Sequence, residues 1–119
     1  MIEARFEQDR EKGTFIMELI GHAGFGELGK DPVCAGASVL AMTAAQCVKT
    51  MEEAGRLRKK AHIRIRNGSV LVVAWPKEES RGNTEQLFWV TETGMRLLAE
   101  AYPENVKMRG KKENSADRD

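Results

Sequence analysis

The sequence predicts an α+β fold, a two-layer domain in which two helices pack on a mostly antiparallel sheet in the order β-β-α-β-β-α-β. Short segments alternate apolar and polar residues, as strands do, while two longer segments space their apolar residues as helices do. Asn67-Gly68 is a strong signal for a tight hairpin and so for antiparallel pairing. A chain of 119 residues, 41% of them hydrophobic, is expected to form one domain over residues 1–109, followed by a charged, disordered tail over 110–119.

The first two strands are predicted to form a hairpin. Ile2, Ala4 and Phe6 alternate onto one face of the first strand. The segment 14–20 is more apolar, and we expect it to be covered on both faces for part of its length.

The first helix has clear start and stop signals. Asp31 is a suitable N-cap, Pro32 fits the first turn, and the helix is expected to run to about Ala54, with Gly55 as its stop. Its apolar residues follow helical spacing: Val33, Ala37, Leu40, Ala41, Ala44, Val48 and Met51.

The second half of the chain repeats the hairpin-then-helix pattern. Two strands, 62–66 and 70–75, flank the Asn67-Gly68 turn. Asn83 with Gln86 resembles a capping box at the start of a second helix, which ends before Pro103 and is followed by a short strand around Lys107. The inward stripe of this helix is predicted to be Leu87, Phe88, Thr91, Met95, Leu98 and Ala101.

Composition restricts the class of protein. The net charge of +1 argues against a protein that mainly coats nucleic acid. No apolar run approaches the ~18 residues that cross a membrane, and the first ten residues lack a signal pattern. We therefore expect a cytoplasmic protein with no membrane contact, whose two cysteines are reduced.

The stretch Gly21–Ser38 contains the residues with the most reactive chemistry. Cys34 lies about three positions into the predicted helix, where free N–H groups and the helix dipole favour a thiolate, the reactive form of cysteine. His22 ends the preceding strand, and the intervening loop can bring its imidazole to the sulfur. Such a pair would act as a Cys–His dyad, with N–H groups at the helix start holding the oxyanion.

Asp31 and Ser38, close in sequence to Cys34, could support catalysis, but each could also have a purely structural role. Asp31 could orient the imidazole or serve only as the N-cap. Ser38 lies one turn after Cys34 on the same face, where it could bond in the site or simply pack. Cys34 itself could be a small buried core residue, and His22 a loop histidine without a role.

The glycines before the helix allow two interpretations. Gly24, Gly26 and Gly29 match the pattern of a nucleotide-binding loop, but that loop requires a parallel βαβ unit, and Asp31 would repel phosphate. We favour a mobile loop over Gly21–Lys30 that admits a substrate and whose movement relies on Gly21, Gly24, Gly26 and Gly29.

Metal binding and nucleic-acid binding have weaker support in the sequence. His22, Cys34, Cys47 and His62 have no short ligand spacing, so we expect no metal, and Cys47 is interpreted as a core or interface residue. A run of basic residues could contact RNA or an acidic partner, although such runs are usually solvated: Arg56, Arg58, Lys59, Lys60, Arg64 and Arg66.

A family resemblance adds to this interpretation. Gly21-His22-Ala23, Gly29, Asp31, Val33-Cys34-Ala35 and Ser38 resemble the signature of the ribosomal-processing cysteine protease family, called Prp, of Firmicutes and related bacteria. The resemblance covers roughly residues 1–109. Pro32 departs from it, standing where a branched aliphatic residue is more common, and Gly26 and Gly36 are smaller than expected.

The resemblance implies a specific activity. The family removes an N-terminal extension from a large-subunit ribosomal protein, the one numbered twenty-seven, cutting after aromatic residues and before a small one. Its catalytic residues correspond to His22 and Cys34, and its motif Asp and Ser to Asp31 and Ser38. The resemblance further implies that the protein is a homodimer, that a mobile glycine-rich loop covers the site, and that no cofactor is used. Two competing hypotheses are a non-catalytic ribosome- or RNA-associated module and an acyl-transfer or thiol redox enzyme that uses Cys34.

Overall fold

The chain folds into a five-stranded mixed sheet with two long helices, and the computed structural model describes residues 1–110. The elements are β1 (Ile2–Asp9), β2 (Thr14–Ile20), α1 (Pro32–Glu53), β3 (His62–Arg66), β4 (Ser69–Ala74), α2 (Arg81–Ala101) and β5 (Val106–Met108). The predicted fold class and element order are confirmed. The predicted tail lies outside the described residues from position 111 onward.

The strand order across the sheet is β3-β4-β2-β1-β5. Three neighbouring pairs are antiparallel, and only β1 and β5 run parallel. β2, which leads into the glycine-rich loop, is antiparallel to both of its neighbours. The parallel unit that a nucleotide-binding loop needs is therefore missing at this loop, which removes the nucleotide-binding interpretation.

The core lies between one face of the sheet and the helices. The alternation predicted for β1 is confirmed, since Ile2, Ala4 and Phe6 are all buried. β2 behaves in the same way: Phe15, Met17 and Leu19 are buried, while the residues between them are only half-buried. The expectation that β2 is covered on both faces is wrong, because both helices pack against the face that these side chains form.

The start and end of α1 agree with the sequence signals to within a residue. The Asp31 side chain caps the helix, Pro32 opens it, and Ala54 closes it before Gly55, whose φ is 74°. Small residues allow close packing between the helices, since Gly36 faces Leu98 of α2.

By length and composition, α1 is apolar enough to cross a membrane, contrary to the prediction that no segment is. It is the only such helix within residues 1–110. Six of its residues are buried in the domain core: Val33, Ala37, Ala41, Ala44, Ala45 and Val48. We interpret α1 as the central core helix, whose apolar character comes from the face that packs on the sheet.

The predicted start of α2 is wrong. The helix begins at Arg81, directly after a 3₁₀ turn over Glu78–Ser80, so Asn83 lies in its first turn and is not the cap. Burial of Ser80 and Thr84 fixes this end of the helix, and the Thr84 hydroxyl donates to the Ser80 carbonyl. Of the predicted inward stripe, Phe88, Thr91 and Met95 are fully buried, and Ala101 is exposed.

Candidate active site

Cys34 and His22 line the same cleft, which has a volume of about 230 Å³. The cleft lies between the first turns of α1, the end of β2 and the β3–β4 hairpin. The two residues are 12 positions apart in sequence, and the loop between them folds back so that both line one cleft.

The thiol of Cys34 is held at the start of α1. The side chain is half-buried, in the first turn of the helix, and its sulfur accepts a hydrogen bond from the Ala23 N–H at 3.1 Å. The sulfur therefore lies beside both a backbone N–H donor and the N-terminus of α1. Cys34 is thus half-buried, with part of its surface packed against the core and part facing the cleft.

The imidazole of His22 lies against the tip of the β3–β4 hairpin. A Cβ added to Gly68 would lie 3.0 Å from His22 Nε2, and Gly68 has a φ of 78°. Gly21 is more restricted still: its φ is 103°, and an added Cβ would lie 2.2 Å from the Met1 carbonyl oxygen, a backbone atom. A side chain at Gly21 would therefore clash with the backbone, and one at Gly68 would push against the imidazole, and both would also strain a positive φ.

The carboxylate of Asp31 joins the helix to the loop. One oxygen accepts from the N–H groups of Val33 and Cys34 at 2.8 and 3.2 Å, and the other from Phe25 and Gly26, both at 2.8 Å. These four bonds, that from Gly26 foremost, hold the pKa of Asp31 below its ordinary value although the side chain is only 5% exposed.

This arrangement corrects one prediction about the helix start. N–H groups near the helix start were expected to hold the oxyanion, but two of them, those of Val33 and Cys34, donate to Asp31 instead. The N-cap role of Asp31 is confirmed, and its carboxylate serves the loop and the helix instead of the imidazole.

The glycine-rich loop has two halves that differ in how they are held. The half nearest β2 is tied down: Asn105 donates to the Ala23 carbonyl at 3.0 Å, and the rings of Phe25 and Tyr102 meet edge to face at 5.0 Å. The half from Glu27 to Lys30 is exposed, and Leu28 projects into solvent. Gly24 and Gly29 have open space around them, whereas Gly26 packs against Asp31. Movement of the loop stays a prediction.

The match to known proteins decides the family. Residues 1–107 match the family described as cysteine protease Prp. The chain belongs to this family. A curated relative, the ribosomal processing cysteine protease Prp of Bacillus subtilis (strain 168), is 40% identical over 48 residues, which are 40% of this chain and 43% of that protein. The aligned stretch is thus less than half of that relative's length.

Solved structures agree with the fold. The ribosomal processing protease Prp from S. aureus, in complex with a covalently linked product peptide, matches with a TM-score of 0.72 at 22% identity, over 93% of this chain and all of that one. SMU.848 from Streptococcus mutans matches with a TM-score of 0.62 at 30% identity, over 92% of each chain. The α+β fold of the Prp family is therefore shared across these structures.

Ser38 and Cys47 lie on α1 of this Prp fold, and only Ser38 lines the cleft. Ser38 is exposed and lines the same cleft as Cys34. Cys47 is exposed on α1, which excludes the core interpretation and leaves an interface open. Within residues 1–110, no three His, Cys, Asp or Glu side chains form a ligand cluster for a metal.

The basic run does not form one surface of free cations. Arg58 donates to the carbonyls of Lys12, Gly13 and Pro76, and Lys59 lies over the ring of Trp75 at 4.2 Å. Arg64 and Arg66 are exposed on β3, and Arg66 also borders the cleft.

Several residues of the site were missed by sequence reasoning. The hairpin tip, Asn67 and Gly68, was identified only as a turn, and Asn105 not at all. Met42 and Ile65 form the far end of the cleft. Nothing local in the sequence signals these roles, since each depends on a contact between distant segments.

Proposed function

We propose that this protein is a cysteine endopeptidase in which Cys34 is the nucleophile and His22 the general base. The observation that carries the proposal is the Ala23 N–H bond to the Cys34 sulfur at the start of α1, in a cleft that His22 also lines. Membership of the cysteine protease family Prp supports the same chemistry.

The first half of the reaction forms an acyl-enzyme. His22 takes the thiol proton, and the Cys34 sulfur attacks the carbonyl carbon of the scissile peptide bond. The tetrahedral intermediate then collapses, the carbon–nitrogen bond breaks, and His22 returns its proton to the leaving amine. The product with the new N-terminus departs, and the other half of the substrate stays bound as a thioester on Cys34.

The second half releases that thioester. Water enters the cleft, gives a proton to His22 and attacks the thioester carbonyl, and the carbon–sulfur bond breaks. The carboxylic acid product leaves, and the sulfur recovers its proton from His22. Asp31 acts indirectly, because it holds the loop that carries the Ala23 N–H next to the sulfur.

The proposed substrate is the N-terminal extension of the large-subunit ribosomal protein numbered twenty-seven, cut between an aromatic and a small residue. The names of the relatives support this choice, since the B. subtilis protein is a ribosomal processing protease. The S. aureus protease was solved with a substrate peptide as well as with a product peptide. Further parts of the proposal are action in the cytoplasm as a homodimer and opening of the exposed loop half for substrate. Ser38 is assigned a polar contact to substrate.

The test uses a peptide that spans an aromatic-to-small junction, followed by mass spectrometry. We expect cleavage by the wild type, none by Cys34→Ala, and at least a ~100-fold loss in His22→Ala. Cys47→Ala is the matched control, because it removes the other cysteine from the same helix, where it is exposed. Cleavage that survives in Cys34→Ala would sink the proposal.

A further inference from the structure

The turn that joins α2 to β5 reaches back to the loop beside Cys34. The side-chain amide of Asn105 donates to the Ala23 carbonyl at 3.0 Å, and the N–H of the same Ala23 donates to the Cys34 sulfur at 3.1 Å. Ala23 is thus held at both of its backbone polar groups. Building on the proposed function, in which Cys34 is the nucleophile, we propose that Asn105 is a positioning residue. It holds Ala23 so that the Ala23 N–H stays against the sulfur during catalysis.

The backbone that follows Ala23 does not fix its orientation. The next residue is Gly24, with a φ of 69°, and an added Cβ there would meet nothing within 4 Å. A glycine in open space can change its backbone angles at little cost, so the chain can turn at this point. The Ala23 side chain is a single buried methyl group, which packs in the core but does not set the direction of the N–H. Hydrogen bonds to Ala23 therefore set that direction.

Asn105 is itself fixed by the backbone around it. Its carbonyl accepts from the Ile2 N–H at 2.8 Å, and its N–H donates to the Tyr102 carbonyl at 2.9 Å. The following residue, Val106, is buried in the core as the first residue of β5. The amide of Asn105 thus extends towards the loop from a backbone that is held on both sides, which is the arrangement that positions another group precisely.

The contact requires a hydrogen-bond donor at position 105. A carbonyl oxygen only accepts hydrogen bonds, and the NH₂ group of Asn105 can donate to the Ala23 carbonyl. An ionised Asp has the same shape but carries only acceptors, so it would repel that carbonyl. Asn105 does not line the cleft that contains Cys34, so it acts on the reaction through Ala23.

The kinetic test compares Asn105→Asp with the wild type in cleavage of the aromatic-to-small peptide. We expect kcat per folded molecule to fall at least about tenfold, because the sulfur is no longer held in one direction. KM is expected to stay within about twofold of the wild type, since the contact lies outside the cleft. Asn105→Ser is a second variant, with a side chain too short to reach Ala23, and the same division between kcat and KM is expected.

Arg58→Met is the matched control. The Arg58 side chain also donates to backbone carbonyls, those of Lys12, Gly13 and Pro76, but at the end of β2 remote from Cys34. Its loss is expected to lower stability and leave kcat per folded molecule unaltered. The folded fraction of each protein is measured by near-ultraviolet circular dichroism.

An NMR measurement separates positioning from a general loss of structure. Cys34→Ala removes the sulfur from the Ala23 N–H, and we expect it to shift the Ala23 amide proton resonance. When Asn105→Asp is already present, the same replacement is expected to shift that resonance by less than about half as much, because the N–H no longer meets the sulfur. In the Arg58→Met background the shift is expected to equal that of the wild type.

Three results would overturn the positioning role. The first is an unchanged kcat in the folded Asn105 variants, and the second is a lower kcat with the full effect of Cys34→Ala on the Ala23 resonance retained. The third is loss of the folded state in both Asn105 variants but not in Arg58→Met, which would make Asn105 a residue needed for folding.

Failure of the proteolytic function gives a different result. If the wild type does not cleave the peptide, the proposed function is wrong. The NMR comparison needs no substrate, so it still decides whether Asn105 holds Ala23 against the sulfur.

Discussion

The two helices are similar in length and pack on the same sheet face, but they begin in opposite ways. α1 begins with a carboxylate that accepts four backbone N–H groups, two of them from the preceding loop. α2 begins from a 3₁₀ turn with no hydrogen bond from a capping side chain. The start of α2 is held by burial of Ser80 and Thr84 and by the Thr84 hydroxyl bond to the Ser80 carbonyl, so a helix can start in this fold without a capping carboxylate. The extra polar contacts at α1 fix the loop and the sulfur relative to each other.

The largest expected effect comes from Gly21, just before the loop that leads into α1. Gly21→Ala places a Cβ 2.2 Å from a backbone oxygen at a φ of 103°, so we expect a loss of about 3 kcal/mol or more in the free energy of unfolding. Chemical denaturation measures this loss.

Gly82 is the matched position in the first turn of α2, where an added Cβ meets nothing within 4 Å. Gly82→Ala is expected to stabilise the protein by about 0.5–1 kcal/mol. If Gly21→Ala and Gly82→Ala change the free energy of unfolding in the same direction, the contrast between the two helix starts is wrong.

A smaller effect is expected from the cap itself. Asp31→Ala leaves the N–H groups of Val33, Cys34, Phe25 and Gly26 without their acceptor, so the loop moves away from the sulfur. We expect a lower midpoint of thermal unfolding and a loss of at least about tenfold in kcat for peptide cleavage.

Ser80→Ala at the start of α2 is the control for Asp31→Ala. Its side chain makes no capping bond, so the change in stability is expected to stay below about 1 kcal/mol, with kcat unaltered. Equal kcat values for Asp31→Ala and the wild type would show that the cap does not position the sulfur.

The smallest effect is the dependence of stability on pH. The pKa of Asp31 is lowered by its N–H partners, and that of Glu52 by the Ala61 N–H at 2.8 Å. A lowered folded-state pKa means that the stabilisation is complete above the ordinary carboxyl pKa of about 4 and is lost as the pH falls through the folded value.

The wild type should lose stability between pH 6 and pH 3, measured as a fall in its urea unfolding midpoint. Asp31→Asn should show a smaller fall. Glu78→Gln, near the start of α2, is the control and should leave that difference as in the wild type. If the urea midpoint of Asp31→Asn differs between pH 3 and pH 6 as much as that of the wild type, the Asp31 cap is not the source of the acid sensitivity.

Local signals explain why much of the fold could be predicted. Asp31-Pro32, Gly55 and Asn67-Gly68 each act within a few residues, and they set the ends of α1 and the turn between β3 and β4. The start of α2 could not be obtained this way. Burial of Ser80 and Thr84 determines it, and this tertiary effect overrides the capping pattern at Asn83.

The site, like the fold, has parts that local sequence predicts and parts that it does not. Cys34 and His22 could be paired from the helix start and the strand end, but their surroundings come from remote segments. Gly68 under the imidazole lies 46 positions from His22, and Asn105 lies 82 positions from Ala23.

The contact between Gly68 and His22 has a consequence for the order of assembly. The Gly21 N–H donates to the Gly68 carbonyl at 2.8 Å, in register with the pairing of Ile20 and Ser69. A newly made chain that stops before β4 therefore has Cys34 and its helix but no support beneath the imidazole. The long-range pairing of β2 with β4 must therefore form before the imidazole has its backing, so closure of the sheet completes the site.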